Sequence, residues 1–579
     1  MSALINALDN HTPKQTGENG HTELGWSNSV KERILQFSFQ VTRTDDNGLN
    51  KLAKTLDAIL IELKTNQRES IELLVMLYKM IGHTRDIIDG KGECSITYMM
   101  IYTWYNHYTE LAIHALKCLV DFGDGGVTHQ YGSWKDIKYF CKYCLSKQVE
   151  IDHPLINAAI FIVNEQLRND FENINGDKFS LAAKWVPREK SNKFGGKLYE
   201  AFACHYFARY IETSNWTERA QSKASAILKC KTEYRKMLST LNKKIDTLQI
   251  KQCGKTWAEI NFTKVTSISL SKQKKAFLNV TKKGETRCPE DEDRVTCAEH
   301  FNQHIEKAVK GETEMKGKRI GLQDFTKQAI DLNGNRHNPS NVAETDLLNS
   351  QWRDNSTQTG ALGKMIAMVD TSGSMSGDPI NVAIALGIRV AEKSSLGKRI
   401  MTFSSTPKWV NLDKADTFTS MVQVVQTAEW GMSTNFMLAL DLILAAIIES
   451  KLPPQEVEDM VLAIFSDMQI DQADHNSSST MYDTIKQKYE SAGLNLFGKP
   501  FKPPHILFWN LRSSRGFPAL STQPNASMMA GFSPALLNLF CDQGLEALQS
   551  TTPWSLLERS LENVRYSILE SKARELLLL

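Results

Sequence analysis

The sequence predicts an α + α/β chain, with an α-helical repeat half followed by a doubly wound α/β domain. Three observations predict it. Apolar residues recur at helical spacing from about residue 29 to 279. Beyond Leu362, short apolar runs alternate with amphipathic stretches. The first of those runs, Met365 to Val369, hands over to Asp370-Thr-Ser372-Gly-Ser374, a carboxylate followed by two hydroxyls at spacing two.

Taken in order, residues 1–28 are polar, lack the apolar segment of a signal peptide, and read as a disordered leader. Residues 29–279 read as stacked helical hairpins, an α-solenoid. Leu52, Leu56, Ile59, Leu60 and Leu63 share one helix face, as do Leu73, Leu74, Leu77 and Ile81. Gly and Asp clusters at 89–92 and 121–126 separate aromatic-rich helices such as Tyr98–Tyr105 and Trp134–Cys141. Residues 280–360, with Pro289-Glu-Asp-Glu-Asp293 and Asn333-Gly-Asn-Arg-His-Asn-Pro-Ser340, read as a partly helical connector. From 361 to 550, strands are expected at Met365–Val369, Arg399–Phe403, Met460–Phe465, His505–Trp509 and Ser527–Ala530. Helices are expected at Pro379–Lys393, Asn435–Ser450, Thr480–Ala492 and Pro534–Leu548. Residues 551–579 read as a helix docking on a neighbour.

Composition narrows the function classes. At 579 residues the chain needs more than one core, and 41% hydrophobic with 23% charged residues describes a soluble globular protein. No apolar run approaches the ~20 residues that cross a bilayer, so no membrane partner is expected. Nine of the ten cysteines scatter through the first 300 residues and Cys541 stands alone. That is no disulfide framework, so the expected setting is a reducing one, cytoplasmic or else nuclear.

The chemistry gathers on three loops. Asp370, Ser372 and Ser374 follow the first apolar run. Trp430-Gly-Met-Ser-Thr434-Asn435 opens a helical stretch, and Val461-Leu-Ala-Ile-Phe-Ser-Asp467 is an apolar run ending in a second acid. Asp370, Ser372, Ser374, Thr434 and Asp467 are hard oxygen donors suited to a small divalent cation, Mg²⁺ first and Mn²⁺ second. In an open α/β sheet such loops converge at the carboxyl ends of the strands. With three neutral hydroxyls and both acids acting partly through water, the cation keeps net positive charge and an open position, which an acidic group of a protein partner completes. One Asp-x-Ser-x-Ser alone would read as a capped turn. The set of five resembles the metal-ion-dependent adhesion site of von Willebrand factor A domains, over about Leu362 to Leu548. It departs where many members have Asp-Gly and this chain has Asp467-Met468.

Catalytic readings fare worse. An aspartyl-phosphate hydrolase needs a second acid where Ser372 stands, no Gly-x-x-x-x-Gly-Lys-[Ser/Thr] loop occurs, and no nucleophile–base pair stands out. The expectation is a non-enzymatic protein, with a metal-using hydrolase as a minor third class.

A basic block supplies the second constellation. Residues 182–283 hold 22 Lys plus Arg against 7 Asp plus Glu, although the whole chain nearly balances at 68 to 66. Lys184, Arg188, Lys190, Lys193, Lys197, Arg235 and Lys236 are the candidate phosphate contacts and Trp185 the candidate stacking platform, since charge follows phosphates and rings stack on bases. Solvated helix faces are the plain alternative. Cys141 and Cys144 read as buried thiols, and His205 as a core histidine. A zinc site from Cys288, Cys297, His300 and His304 fits no common module.

The order of parts carries a second resemblance. Arg85-Asp-Ile-Ile-Asp-Gly-Lys-Gly92, Tyr131-Gly-Ser-Trp-Lys-Asp136, Lys184-Trp-Val-Pro-Arg-Glu189, Tyr234–Asp246 and Trp257–Phe262 precede the adhesion-type domain. This layout is similar to the TROVE-plus-von-Willebrand-A proteins of the Ro ribonucleoprotein autoantigen type, and closer to an uncharacterised family of plants, fungi and large DNA viruses. The resemblance implies HEAT-like helical repeats, a von Willebrand A-like domain, and RNA held outside and inside a ring of repeats. The acidic connector departs from that layout and leaves ring closure open. The expected function is a non-enzymatic, ribonucleoprotein-type RNA-binding protein with a metal adhesion site. The alternative is a protein–protein adaptor that captures an acidic partner residue through the metal and binds no specific RNA.

Overall fold

The computed structural model describes residues 11–18, 20–121, 129–212, 220–334, 341–428, 435–469, 480–541 and 545–578. Its carboxyl-terminal half is built on a six-stranded sheet. The strands are β3 (Met365–Asp370), β4 (Arg399–Phe403), β5 (Lys408–Asn411), β6 (Val461–Ser466), β7 (His505–Asn510) and β8 (Ala526–Ala530), preceded in the chain by a small hairpin of β1 (Lys14–Thr16) and β2 (Thr22–Leu24). The order is β5-β4-β3-β6-β7-β8, parallel except for β5 at one edge. From β3 the chain steps first to β4 on one side and later to β6 on the other. The strand order therefore reverses at β3, and the carboxyl end of that strand is where open α/β sheets hold their ligands.

The strands β3, β6, β7 and β8 are buried along their whole length. Period-two geometry explains why each is a continuous apolar run: both faces are covered. Ile366, Met368, Leu462, Ile464, Ile506 and Phe508 point into a core shared with the helical half. Ala367, Val369, Ala463, Phe465, Leu507 and Trp509 point into a second core.

The principal helices are α1 (Val30–Gln40), α2 (Asp46–Thr65), α3 (Ile71–Arg85), α4 (Cys94–Tyr105), α5 (Thr109–Cys118), α6 (Trp134–Ser146), α7 (Pro154–Glu172), α8 (Gly196–Tyr206), α9 (Ala220–Ile245), α10 (Ser267–Phe277), α11 (Glu292–Val309), α12 (Leu322–Gly334), α13 (Asn341–Ser356), α14 (Asp378–Lys393), α15 (Phe418–Thr427), α16 (Phe436–Glu449), α17 (Met481–Phe497), α18 (Pro553–Leu561) and α19 (Ser567–Leu577). Helix α14 covers β3 on the second core and α16 lies beside β4, while α1 and α18 reach β8.

Four expectations change. The leader is not disordered over its described part. Leu24 exchanges backbone hydrogen bonds with Phe517 at 3.0 and 2.9 Å, Thr22 bridges Thr480, and Trp26 meets the Phe517 ring edge-on at 5.0 Å. The connector is an ordered helical layer, in which α12 packs on α14 and α15. The stretch from 248 to 280 joins that layer rather than the helices before it, because Phe262, Leu270 and Phe277 share a third core with Cys297, Phe301, Ile305 and Leu347. Asp293 pins it by accepting from the amides of Trp257 at 2.7 Å and Ala258 at 2.8 Å. The helix expected at Pro534–Leu548 is interrupted. Pro534–Phe540 is a 3₁₀ segment, Cys541 is extended, and Leu545–Ser550 is a separate short helix. Strand β5 and helix α15 lie beyond the sequence reading, since β5 has one buried residue in four.

The carboxyl-terminal helices dock on the chain's own helical half, α19 against α3 and α5. Two adjacent buried charges make the junction. Arg85 donates to both oxygens of Asp136 at 2.9 and 2.8 Å, and Asp136 also accepts from the Tyr98 hydroxyl at 2.5 Å and the Ser133 amide at 2.7 Å. Asp86 accepts from Arg565 through two bonds of 2.6 and 2.7 Å. Four residues on, Gly90 lies so close to His83 that a Cβ would stand 2.1 Å from its carbonyl oxygen. That tight return buries Lys91, whose ammonium donates to the Ser38 and Val41 carbonyls at the end of α1, at 2.8 and 3.1 Å.

Burial alone would raise the Asp136 carboxyl, but the charge and hydrogen bonds of Arg85 outweigh it and hold it below the ordinary aspartate value. Its contribution to stability is therefore complete above that value and lost as pH falls through the lowered one. Arg85→Met should cost about 3–5 kcal/mol by urea denaturation at neutral pH, because it strands a buried carboxylate. The cost should shrink as the pH is lowered and Asp136 takes up its proton. An equal cost at all pH values would mean that packing, not charge, holds the junction.

Candidate metal centre and basic patch

Strand β3 ends at Asp370, in register with Phe403 of β4, and the Thr371 amide still bonds the Phe403 carbonyl at 3.0 Å. The chain then turns sharply. Asp370 Oδ1 accepts from the Ser372 amide at 2.9 Å, and residues Gly373–Met375 make a single 3₁₀ turn. This turn sets the Ser372 and Ser374 hydroxyls 3.1 Å apart. Gly377, with φ of 99°, redirects the chain into α14. From the neighbouring strand, Ser466 donates to Asp370 Oδ2 at 2.6 Å and accepts from the Met468 amide at 3.0 Å. Asp467 Oδ1 accepts from the Gln469 amide at 3.2 Å. Among the described residues its Oδ2 is buried without a hydrogen-bond partner, and the Ser374 hydroxyl lies near enough to the carboxyl to lower it.

The structure thus gathers Asp370, Ser372, Ser374 and Asp467 at the end of the sheet where the strand order reverses. Thr434 lies outside the described residues. Its neighbour Asn435 bonds the Ser404 carbonyl at 3.0 Å beyond β4 and caps α16 by accepting from the Leu438 amide at 3.0 Å. Two contributors were not singled out from sequence. Ser466, directly before Asp467, holds Asp370, and Arg512 after β7 donates to the Ser374 carbonyl. The Phe-Ser-Asp run already contains Ser466, but nothing in the sequence says that its hydroxyl crosses to β3.

Electrostatically the centre is incomplete. Asp370 is fully buried, and burial together with the charge of Asp467 pushes its carboxyl up to about 7. Burial also raises Asp467. Two buried carboxyls that raise one another's cost of ionisation, beside the paired hydroxyls of Ser372 and Ser374, make a donor set that fits a hard divalent cation. Among the described residues no three His, Cys, Asp or Glu side chains gather as a metal cluster, so this centre rests on two acids and on hydroxyls. Cys297 and His304 are core residues, His304 stacking on Phe262 at 6.1 Å.

Met468 takes a left-handed backbone, φ 62°, and its side chain is buried beside His21, Thr22 and Phe517. The departure from Asp-Gly is where the amino-terminal hairpin is anchored. At its tip Glu18 accepts from the Gln469 side chain at 2.6 Å and pairs with Arg515 at 3.2 Å, spanning the loops after β6 and β7.

The basic block becomes a patch with a centre. Lys138, on α6, holds its ammonium 4.8 Å from the Trp185 ring and 5.0 Å from Phe194. Lys193 lies 4.6 Å over Tyr139 and donates to its hydroxyl at 2.9 Å, with Lys135 5.1 Å from the same ring. Tyr139 and Phe194 meet edge-to-face at 5.2 Å. Lys184 lies 5.7 Å from Trp185, and Arg188 is exposed nearby in the chain. The acid beside it, Glu189, is taken by Lys231 at 3.1 Å and Arg235 at 3.3 Å. Lys236 pairs with Glu233 at 2.9 Å, and Lys190 and Lys197 are exposed. So Lys184, Arg188 and Lys193 converge on Trp185 and its neighbours, while Arg235 and Lys236 are partly neutralised. Sequence reasoning missed Lys135 and Lys138, which the α6 turn brings in from some fifty residues earlier. Trp185 is half-buried with lysine on its ring, an orienting surface rather than an open stacking face.

Fold and site define a class: a parallel-sheet domain with a serine- and aspartate-lined end, set on a helical body that bears a cationic patch. Two family descriptions match, the domain of unknown function DUF2828 over residues 157–365 and the domain of unknown function DUF7788 over residues 364–568. Over 501 residues the chain is 30% identical to the uncharacterized protein L728 of Acanthamoeba polyphaga mimivirus, covering 84% of this chain and 78% of that protein. The chain belongs to the family of that viral protein.

Met468→Gly separates the two roles of the position. Glycine relieves about 1 kcal/mol of backbone strain, but the lost buried side chain costs about 2–5 kcal/mol. Net destabilisation, with faster proteolysis between the hairpin and α1, is the expected outcome in a limited-digestion time course. A stabilised, equally resistant variant would show that the hairpin is not held by this side chain.

Proposed function

We propose that this is a non-enzymatic, ribonucleoprotein-type RNA-binding protein of the intracellular, cytoplasmic milieu, whose sheet domain carries a divalent adhesion site for a protein partner. The observation that carries the RNA reading is the patch. Lys135, Lys138, Lys184, Arg188 and Lys193 gather around three rings with no carboxylate partner among the described residues. Like charges held together without acids await an anion, and a phosphate backbone supplies one. The similarity of layout to the TROVE-plus-von-Willebrand-A proteins points the same way, and the ten free cysteines suit a reducing compartment.

Asp370, Ser372, Ser374 and Asp467 would hold Mg²⁺, or Mn²⁺, with Thr434 from the loop before α16. The ion would act as a Lewis-acidic anchor for a partner carboxylate. Asp370 accepts hydrogen bonds on both oxygens, which suits a ligand rather than a nucleophile. The orphaned oxygen of Asp467 favours the second reading, an adaptor that uses this centre alone.

Filter binding of a single-stranded RNA should weaken with salt, with log K falling at about −0.7 per phosphate contacted. Charge reversal at Lys190, Lys193 and Lys197 should flatten that slope by about one to two contacts. An affinity that ignores salt, or equals that of a charge-matched control protein, removes the RNA reading. Free Mg²⁺ at a hundred times its Kd should add about 2.7 kcal/mol to stability. Asp370→Ala with Ser372→Ala should abolish that gain while leaving RNA binding intact. If only the double variant loses the protein's partner and charge reversal leaves RNA untouched, the adaptor reading replaces the first.

A further inference from the structure

We infer that the cluster centred on Lys138 recognises a terminal phosphate of an RNA strand, a phosphomonoester or 5′-triphosphate end, rather than an internal stretch of backbone. The inference rests on the RNA reading and sharpens it to one ligand group.

Charge density is the first reason. The Lys138 ammonium lies within 5.0 Å of both Trp185 and Phe194, that of Lys193 lies 6.0 Å from the same Phe194 ring, and Lys135 shares Tyr139 with Lys193. Three ammonium groups are thus set around two rings that touch each other. Arg188 adds a fourth charge felt at Lys138. An internal phosphodiester carries a single charge and spends two of its oxygens on bridging bonds. A terminal monoester carries about −1.5 to −2 and three acceptor oxygens, which matches a cluster of this density.

The second reason is what the rings are doing. Tyr139, Trp185 and Phe194 all carry ammonium groups, so they serve as cation platforms rather than open faces for successive bases. A tract reader needs free ring faces along a groove. This cluster has a focal point instead.

The third is built-in tension. Lys138 is half-buried on α6, and among the described residues no acid pairs with it or with Lys135, Arg188 or Lys193. Asp136 on the same helix is spent on Arg85, and Glu189 on Lys231 and Arg235. Burial, reinforced by Lys135, Arg188 and Lys193, lowers the Lys138 ammonium to about 8. A multiply charged anion relieves all of these repulsions at once. The tether of Lys193 to the Tyr139 hydroxyl at 2.9 Å holds one donor in place beforehand.

The test compares one short unstructured oligoribonucleotide with a 5′-hydroxyl, 5′-monophosphate, 5′-triphosphate or 3′-monophosphate, by fluorescence anisotropy with the full chain at fixed salt. Phosphorylated ends should bind about tenfold or more tightly than the hydroxyl end. In Lys138→Met, which keeps the buried stem, and in Lys193→Gln, at an exposed position with little folding cost, that preference should fall to within about twofold, the affinity for phosphorylated ends dropping more than that for the hydroxyl end. Equal binding of all four ends overturns the inference and leaves the RNA reading standing. A preference that survives both variants places end recognition elsewhere and also overturns it. Inorganic pyrophosphate tells the sources apart. Competition only against phosphorylated ends supports the inference, whereas pyrophosphate binding with no RNA bound in any form overturns both the inference and the RNA reading.

Discussion

Two consecutive residues of opposite charge hold this molecule together. Arg85 and Asp86 sit at the end of α3, both buried, and they turn in different directions: Arg85 into the helical half at Asp136, Asp86 to the far end of the chain at Arg565. A buried pair is a weak contributor when compared with a hydrophobic substitute, yet breaking one side leaves an uncompensated charge. Here the two pairs share a backbone link, so neither can shift without dragging the other. The turn that follows delivers Lys91 to the carboxyl end of α1, and α1 lies on β8 of the sheet. The helical half, the closing helices and the sheet are thereby placed around one short loop.

That placement decides what the two candidate sites can do. The end of the sheet holds two buried acids, Asp370 and Asp467, that resist ionising together, and the patch on α6 holds positive charge without acid partners among the described residues. Charge held this way is costly unless it is compensated, which is why both places are candidates for binding. The contrast with Asp136 is instructive. It is as buried as Asp370, but Arg85 lowers it whereas Asp467 raises Asp370. Burial pushes both carboxyls up, and the sign of the nearest charged neighbour decides whether that push is reversed, as at Asp136, or reinforced, as at Asp370.

The parts of this arrangement that were legible in the sequence are those written in short-range pattern. Strands β3, β4, β6, β7 and β8 announced themselves as apolar runs because both faces are covered, and the Asp370 turn because its hydroxyls sit two residues apart. What stayed hidden depends on distance along the chain. The hairpin at 14–24 has strands of three residues, too short for any period, and owes its order to Phe517 and Thr480. The layer from 248 to 356 hides its core phenylalanines among lysines, so charge masked burial. Ser466, Arg512 and Lys138 act across strands or helices that only the fold brings together. Helix α6 shows its rings at Trp134, Tyr139 and Phe140 in the sequence, whereas nothing local marks Lys135 and Lys138 as neighbours of Trp185 and Phe194.

The separation between Asp86 and Arg565, 479 residues, has a consequence for how the molecule is made. At roughly 5–20 residues per second a ribosome needs on the order of half a minute to a minute and a half to deliver the partner of a carboxylate it has already released. Throughout that interval the helical half carries an acid whose burial has no counter-charge, and the faces of α3 and α5 that receive α19 are bare. In the nascent chain those faces therefore stay uncovered until α18 and α19 have been made. Closure of the helical half therefore waits on Arg565 and α19, which are made long after the surfaces they cover.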